Sequence, residues 1–268
     1  MPELPEVEYA RRQLRAVMEG MRIERVLARR SDLRYPLPPD FVARLEGQTV
    51  RALRRRAKYL LLDLSSGAVV LMHLGMSGSF RVRRSHALTT HDHVVFEMSS
   101  GAAVVFNDPR RFGFMKIVGP DDVPGDPTLG KLGPEPLGRG FNALVLARAL
   151  DGRKSSLKAA LSDQRVVAGL GNIYVCEALH RARLSPKRRA STLVTRSGTP
   201  RPGIHALVQA IGVVLKEAIA RSHRVEGEDR FRIYDREGRR CPRRGCRGVI
   251  KRIVQTGRST FFCPVCQR

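Results

Sequence analysis

The sequence predicts an α+β protein: an N-terminal β-sandwich with a helix packed on it, then a helical domain ending in a small metal-bound ribbon. Three observations predict this. A single helical stretch opens the chain, short β runs dominate up to about Val118, and helical periodicity takes over after a proline-rich stretch. Four of the five cysteines fall between Cys241 and Cys266.

The first helix is expected over about Pro5 to Glu19. Val7, Ala10, Leu14 and Val17 recur at helical spacing, Arg11, Arg12 and Arg15 fill the opposite side, and Gly20 stops it. From Ile23 to about Val118 the runs are short and β-like. Lys58–Leu64 and Ala68–His73 flank Ser65-Ser66-Gly67, and His93–Met98 and Ala102–Phe106 flank Ser99-Ser100-Gly101, so both pairs read as hairpins. The stretch 119–140, with Pro120, Pro124, Pro127, Pro134 and Pro136, has the composition of an interdomain linker. Helices are expected over about Phe141–Leu150, Lys154–Leu161, Asn172–Arg181 and Gly203–Arg221. The resulting organisation is 1–118, a β-sandwich; 119–140, a linker; 141–231, a helical domain; and 232–268, a ribbon holding the cysteines in short strands.

Lys and Arg number 49 against 25 Asp and Glu, a formal charge of +24. With no low-complexity tail to carry it, that excess points to a polyanionic partner, nucleic acid first and an acidic membrane surface second. No long apolar helix or basic amphipathic anchor is read in the chain, and an ordinary basic surface is the plain alternative. The opening residues lack the charged and apolar regions of a secretory signal, which suggests a cytoplasmic protein in which disulfides are rare. Clustered cysteines there imply a metal.

Cys241-x4-Cys246 and Cys263-x2-Cys266 are two close pairs sixteen residues apart. Each pair can present two thiolates from one knuckle, and two knuckles make a tetrahedral sulfur site for one structural Zn²⁺. Metal binding would supply folding energy that so short a segment cannot draw from a core. Four unrelated buried cysteines are the alternative. Lone Cys176, on an expected helix, reads as a small packed hydrophobe.

Met1 precedes a small residue and is expected to be removed, exposing the secondary amine of Pro2. An α-amino group titrates near pH 8, so a useful fraction is neutral and nucleophilic. Its attack on a sugar C1′ would give a cationic iminium able to drive base loss and β-elimination. Glu3 could serve as general acid/base beside it, supported by Glu6. Taken alone, Pro2 and Pro5 read equally as helix-start residues, and the glutamates as partners of the helix dipole.

The run Pro2-Glu3-Leu4-Pro5-Glu6-Val7-Glu8 resembles the formamidopyrimidine-DNA glycosylase/endonuclease VIII family, and Leu4 places it nearer the formamidopyrimidine branch. Further matches follow in order: Arg56-Ala57-Lys58-Tyr59-Leu60, His73-Leu74-Gly75-Met76-Ser77-Gly78, His91-Asp92-His93-Val94, Asp108-Pro109-Arg110-Arg111-Phe112-Gly113, Leu132-Gly133-Pro134-Glu135-Pro136-Leu137 and Gly169-Leu170-Gly171-Asn172-Ile173-Tyr174. Gly257-Arg258, Phe261, Cys263 and Cys266 match at the end, so the resemblance covers nearly the whole chain.

This resemblance implies a bifunctional glycosylase/AP lyase of base excision repair that acts on damaged double-stranded DNA; no membrane partner is expected, and a monomer is the default because one chain can wrap a lesion without a partner. Pro2 would be the Schiff-base nucleophile, Glu3 its acid/base partner, and Lys58 a ligand of the phosphate next to the lesion. Met76, Arg110 and Phe112 would fill the hole left by an everted nucleotide, Phe112 as a wedge and Arg110 facing the orphaned base. Without the resemblance they read as two core residues and a surface charge. His91, Lys154, Asn172 and Arg258 would contact DNA. Asn172 would do so from a helix–two-turns–helix opened by glycines, although Lys154 and Lys158 equally suggest a solvated helix face.

Two departures modify the expectation. The family usually spaces its first knuckle C-x2-C, so the wider loop here is expected to keep Zn²⁺ and to shift its phosphate contacts. The branch's lesion-capping loop is replaced by Ser222-His223-Arg224-Val225-Glu226-Gly227-Glu228-Asp229-Arg230, which looks shortened and lacks the glycine- and threonine-rich character. Such a loop suggests ring-opened purines or further-oxidised lesions ahead of 8-oxoguanine. An endonuclease VIII-like preference for oxidised pyrimidines, an unusual bulky or crosslinked lesion, and a non-catalytic damaged-DNA-binding relic are the competing readings.

Overall fold

Helix α1 (Leu4–Met18) buries Val7, Ala10, Leu14 and Met18 along one stripe. The computed structural model describes residues 2–83, 87–123, 125–221 and 231–268. It divides into two units, residues 1–130 and 131–268.

In the first unit α1 is followed by β1 (Ile23–Ala28), the short α2 (Phe41–Leu45) and seven further strands. These are β2 (Val50–Arg56), β3 (Tyr59–Leu64), β4 (Val69–His73), β5 (Ser79–Arg83), β6 (Asp92–Met98), β7 (Ala103–Asn107) and β8 (Phe114–Val118). They form two four-stranded sheets, β1-β6-β7-β5 and β2-β3-β4-β8, antiparallel throughout. Both expected hairpins are present, as β3–β4 and β6–β7. The inward residues of the two sheets, among them Leu53, Leu62, Val70, Phe96 and Phe106, form one core with the apolar stripe of α1. This is a sandwich with a helix packed on it. Strand β2 stands outside the two hairpins read from the sequence, because its arginines mask an alternation in which only Val50 and Leu53 are buried.

The outer face of the second sheet is also covered. Leu61, Val69, Leu71 and Val118 pack with Val123 and Leu129, and Lys116 Nζ donates to Asp126 Oδ2 at 2.5 Å. The proline-rich stretch expected as a linker is thus divided. Residues to Gly130 close over this sheet, whereas Gly133 N–H donates to the Gln164 carbonyl and Ala168 N–H to the Pro134 carbonyl in the second unit.

The second unit contains α3 (Ala143–Leu150), α4 (Leu157–Ser162), α5 (Asn172–Arg181), a 3₁₀ turn (Ala190–Leu193), α6 (Pro202–Arg221) and the hairpin β9–β10 (Lys251–Gln255, Arg258–Phe262). Helix α4 starts three residues later than expected. Ser156 takes the N-cap and accepts the Ala159 N–H at 3.3 Å, since a serine hydroxyl stabilises a helix start better than a helix interior. Helix α6 corrects the expectation of no long apolar helix: by length and composition alone it could cross a membrane, with mean hydropathy 1.4. Its apolar side, including Ile204, Leu207, Ile211 and Leu215, is buried within the helical unit.

Candidate functional site

Pro2 is half-buried, immediately before α1. Glu3 is the N-cap and only 2% exposed. Glu3 and Glu6 form a capping box, in which Glu3 N–H donates to Glu6 Oε2 at 3.0 Å. Reciprocal capping satisfies orphan donors of the first turn and fixes the angle at which the chain enters it. Glu6 therefore holds the geometry of Glu3, and Pro2 is held beside a buried carboxylate.

Glu8 extends this frame to the second sheet. It accepts from Arg11, Arg12 and Arg55, the last at 3.1 Å. Burial pushes its carboxyl pKa up, but the three guanidinium groups outweigh that and bring it down to about 2. Arg55 also donates to the Ala57 carbonyl at 2.9 Å. Ala57 has φ +53°, the left-handed turn conformation that reverses the chain between β2 and β3. Lys58 follows it and is 7% exposed. The Glu8–Arg55–Ala57 chain thus ties the opening turns of α1 to the turn that carries Lys58.

His73 ends β4, its ring centroid 4.9 Å from that of Tyr59 and stacked 5.5 Å from that of Phe114. Its Nδ1 accepts the Gly75 N–H at 3.0 Å. Burial, with the charges of Lys58 and Arg34, lowers its pKa to about 4, so the ring is neutral at pH 7.

The loops after β4 and β7 bring Met76, Arg110 and Phe112 together. Met76 is 42% and Phe112 40% exposed, unusual for large apolar side chains in a well-packed unit. The Arg110 guanidinium lies over the Phe112 ring, 4.7 Å from its centroid. Asp108, fully buried, clamps the two loops. Its Oδ1 accepts the Ser77 hydroxyl at 2.5 Å and its Oδ2 the Gly113 N–H at 2.8 Å, while Ser77 Oγ accepts the Arg110 N–H. Gly75, at φ +63°, lies against the Phe112 backbone so closely that a Cβ would come within 2.2 Å of the Phe112 carbonyl carbon. His91 is exposed beside this cluster, and its carbonyl accepts the Asp108 N–H. Sequence reading singled out the exposed trio and missed Asp108, Ser77 and Gly75 as the parts that hold it, although all three lie within the matched motifs.

In the second unit Asn172 opens α5 after Gly171. Its amide donates to the Ser259 carbonyl at 2.8 Å and, more weakly, to the Tyr234 hydroxyl at 3.4 Å, so the side chain first ties α5 to β10. Arg258 begins β10 and is exposed next to that tie. Lys154 is exposed in the loop before α4 rather than on a helix. Lys158 is not part of a solvated face: it is fully buried, with Nζ 3.4 Å from the Gln255 carbonyl. Burial, with Arg258 nearby, lowers its pKa.

The four cysteine sulfurs lie within 4.8 Å of one another, with Cys241–Cys266 at 3.8 Å and Cys246–Cys263 at 3.7 Å. Tetrahedral thiolate ligation at about 2.3 Å requires sulfurs about 3.8 Å apart, so the set fits one Zn²⁺ with no position left for substrate. The cysteines sit in knuckles flanking β9–β10 rather than within strands. Helix α5 supports them: Cys176 packs on the ribbon core, His180 Nε2 lies 3.4 Å from Cys241 Sγ, and Glu177 accepts the N–H groups of Arg232, Ile233 and Tyr234. The expected lesion-capping segment, 222–230, lies outside the described residues.

Residues 1–115 match the formamidopyrimidine-DNA glycosylase N-terminal domain, 132–227 its H2TH domain, and 238–268 the zinc finger found in FPG and IleRS. A formamidopyrimidine-DNA glycosylase of Bradyrhizobium sp. (strain ORS 278) is 61% identical with both chains fully covered. The Lactococcus lactis formamidopyrimidine-DNA glycosylase, solved noncovalently bound to DNA containing an AP site, aligns with TM-score 0.89 at 30% identity over both whole chains. A variant of that protein, in complex with Fapy-dG-containing DNA, aligns with TM-score 0.88 at 30% identity over the same span.

Proposed function

The chain belongs to the formamidopyrimidine-DNA glycosylase family, and from that premise we propose that Pro2, freed by removal of Met1, is its nucleophile. The protein is a base excision repair DNA glycosylase with AP lyase activity, and it carries one structural Zn²⁺ held by Cys241, Cys246, Cys263 and Cys266. The observation that carries the assignment of the nucleophile is the buried Glu3 locked by its capping box directly after Pro2.

The neutral Pro2 amine attacks C1′ of the damaged nucleotide. The N-glycosidic bond breaks, the base leaves with a proton, and the amine becomes an iminium at C1′. Glu3 handles protons at the sugar during ring opening and elimination. The cationic nitrogen acidifies C2′–H, so β-elimination expels the 3′ phosphate, δ-elimination the 5′ phosphate, and water then releases the sugar remnant from Pro2. Lys58 binds the phosphate beside the lesion. Phe112 wedges into the stack, Arg110 faces the unpaired base and Met76 fills the remaining void. His91, Lys154 and Arg258 bind backbone phosphates, as do the N–H groups at the α5 N-terminus, that of Asn172 included. Zinc supplies the crosslink that folds the ribbon.

The preferred lesion is a ring-opened purine ahead of 8-oxoguanine. The different composition of 222–230 supports this reading, as does the Fapy-dG complex of the Lactococcus lactis relative. The working form is a monomer in the cytoplasm, associated with the nucleoid through DNA.

Borohydride trapping tests the mechanism on duplexes carrying an abasic site, a ring-opened purine or 8-oxoguanine. A covalent adduct that disappears in Pro2→Gly is expected, with the ring-opened duplex trapped fastest. Adduct formation unchanged in Pro2→Gly would reject the assignment of the nucleophile.

A further inference from the structure

The first cysteine knuckle, Cys241-x4-Cys246, carries Arg243 and Arg244. With Arg183 and Arg268 these line a cavity of about 490 Å³ at the base of the ribbon, whose wall includes Cys246 and Val265. No carboxylate side chain lines it. Arg243 also hydrogen-bonds the sulfur of Cys266, whereas Arg183, Arg244 and Arg268 have no ion pair among the described residues.

Two of them are placed by features that need a reason. Arg243 is pinned: its Nη2 donates to the His180 carbonyl at 2.5 Å and to the Arg181 carbonyl at 3.3 Å, which orders one guanidinium at the cavity wall. Arg183 follows the C-cap of α5 at φ +60°, and the Leu184 N–H returns to the Leu179 carbonyl while its own N–H meets the His180 carbonyl. That is the Schellman slot normally filled by glycine. An arginine held there against its backbone preference brings a third cation to the rim. Arg268 is fixed beside it, its N–H donating to the Arg183 carbonyl and its carbonyl accepting the Ser185 N–H.

We infer that this cavity is a phosphate-binding subsite, separate from the Arg258 end of the hairpin, and that its ligand is a DNA backbone phosphate. Strand β10 runs from Arg258 to Phe262, with Cys263 next. The two ends of the ribbon are therefore about 17 Å apart at 3.3–3.4 Å per residue. Projected on the duplex axis, at about 3.4 Å per nucleotide, that distance corresponds to about five steps. The inference rests on the glycosylase reading and adds a grip on the duplex flank to it.

The test compares the zinc-loaded full chain with Arg183→Gly/Arg244→Ser, in which glycine suits the backbone at 183 and position 244 is exposed. Binding to abasic-analogue duplexes is followed by fluorescence anisotropy across salt. One duplex ends close to the lesion and one is longer by about a helical turn, ~10 base pairs. On the long duplex the variant's log K against log[salt] slope is expected to be shallower by about 1–2, with severalfold weaker binding at low salt. On the short duplex the two proteins should coincide in binding, and in excision when a ring-opened purine replaces the abasic analogue. An unchanged long-duplex slope, with inorganic phosphate or pyrophosphate perturbing arginine side-chain NMR signals of the unmodified protein alone, would place a free phosphate in the subsite and refute the DNA assignment. Unchanged slopes with no phosphate response would overturn the subsite entirely. Failure of the unmodified protein to excise a ring-opened purine placed at the same position in either duplex would count against the glycosylase reading instead, and the slope comparison would still decide the subsite.

Discussion

Asp108→Asn removes one negative oxygen from a fully buried clamp and leaves its shape unchanged. The carboxylate accepts two bonds, from the Ser77 hydroxyl and from the Gly113 N–H. An asparagine retains one acceptor oxygen, and its amide nitrogen must then face one of those donors. If the oxygen stays on Gly113, the Ser77 hydroxyl rotates away and its bond to the Arg110 N–H loosens. The loss is one charge-assisted hydrogen bond, about 1.5–3 kcal/mol, with a buried N–H left short of an acceptor. About 2 kcal/mol lowers the melting temperature of the first unit by roughly 6–8 °C. The functional effect should be selective, because the clamp positions Met76, Arg110 and Phe112 but does not touch Pro2 or Glu3. Single-turnover excision of a paired lesion should fall at least tenfold, whereas strand cleavage at a preformed abasic site should fall no more than about twofold, since eversion is easier there. Calorimetry and quenched-flow excision on the two substrates provide the measurements. Unchanged stability together with equal loss on both substrates would refute the clamp.

Phe112→Ala exposes no core and should leave stability within about 0.5 kcal/mol of unmodified, yet slow lesion excision, read by single-turnover kinetics. Gly75→Ala must displace the Phe112 backbone and strains φ as well, so a loss of about 2–4 kcal/mol in denaturant titration and weaker binding to lesion duplex are expected. The depressed pKa of His73 means that the unfolded chain binds its proton first as pH falls. Stability should therefore decline from about pH 6.5 to about 4 and level off below, by up to about 3 kcal/mol, and His73→Phe should flatten that segment of the curve. Glu8 acts in a lower window: its contribution, about 2 kcal/mol after solvent screening, is present above its unfolded pKa near 4.5 and disappears as pH falls towards 2, and Glu8→Gln should remove it. Chelation of zinc should unfold the ribbon and abolish duplex binding, as measured by anisotropy on protein of verified metal content; full binding by the metal-free chain would exclude a structural role for the ion.

What could be read from the chain alone was short-range. Helix α1 and the hairpins β3–β4 and β6–β7 were legible because their periodicity and turn residues lie within a few positions of one another. The zinc site was legible because each knuckle is a local pair, and Pro2-Glu3 because the proposed nucleophile and its proposed partner are adjacent in sequence. Tertiary structure decided everything that depended on which distant segment a side chain meets. Asp108 reaches Ser77 across 31 residues, and Asn172 reaches Ser259 across 87. Glu177 gathers three backbone donors 55 to 57 positions away. Lys158, which matched a solvated helix face by pattern, is buried with its Nζ towards the Gln255 carbonyl, and Lys154, the other half of that pattern, lies in the loop before α4. Apolar α6 satisfied a membrane criterion by composition, and only its packing assigns that apolar side to a core. Arg183 and Arg243 are 60 positions apart in the chain and meet at one cavity because α5 ends against the first knuckle. The physical reason is the same throughout. Propensity and spacing act over a turn or a hairpin, whereas burial and hydrogen-bond satisfaction are settled among all segments at once.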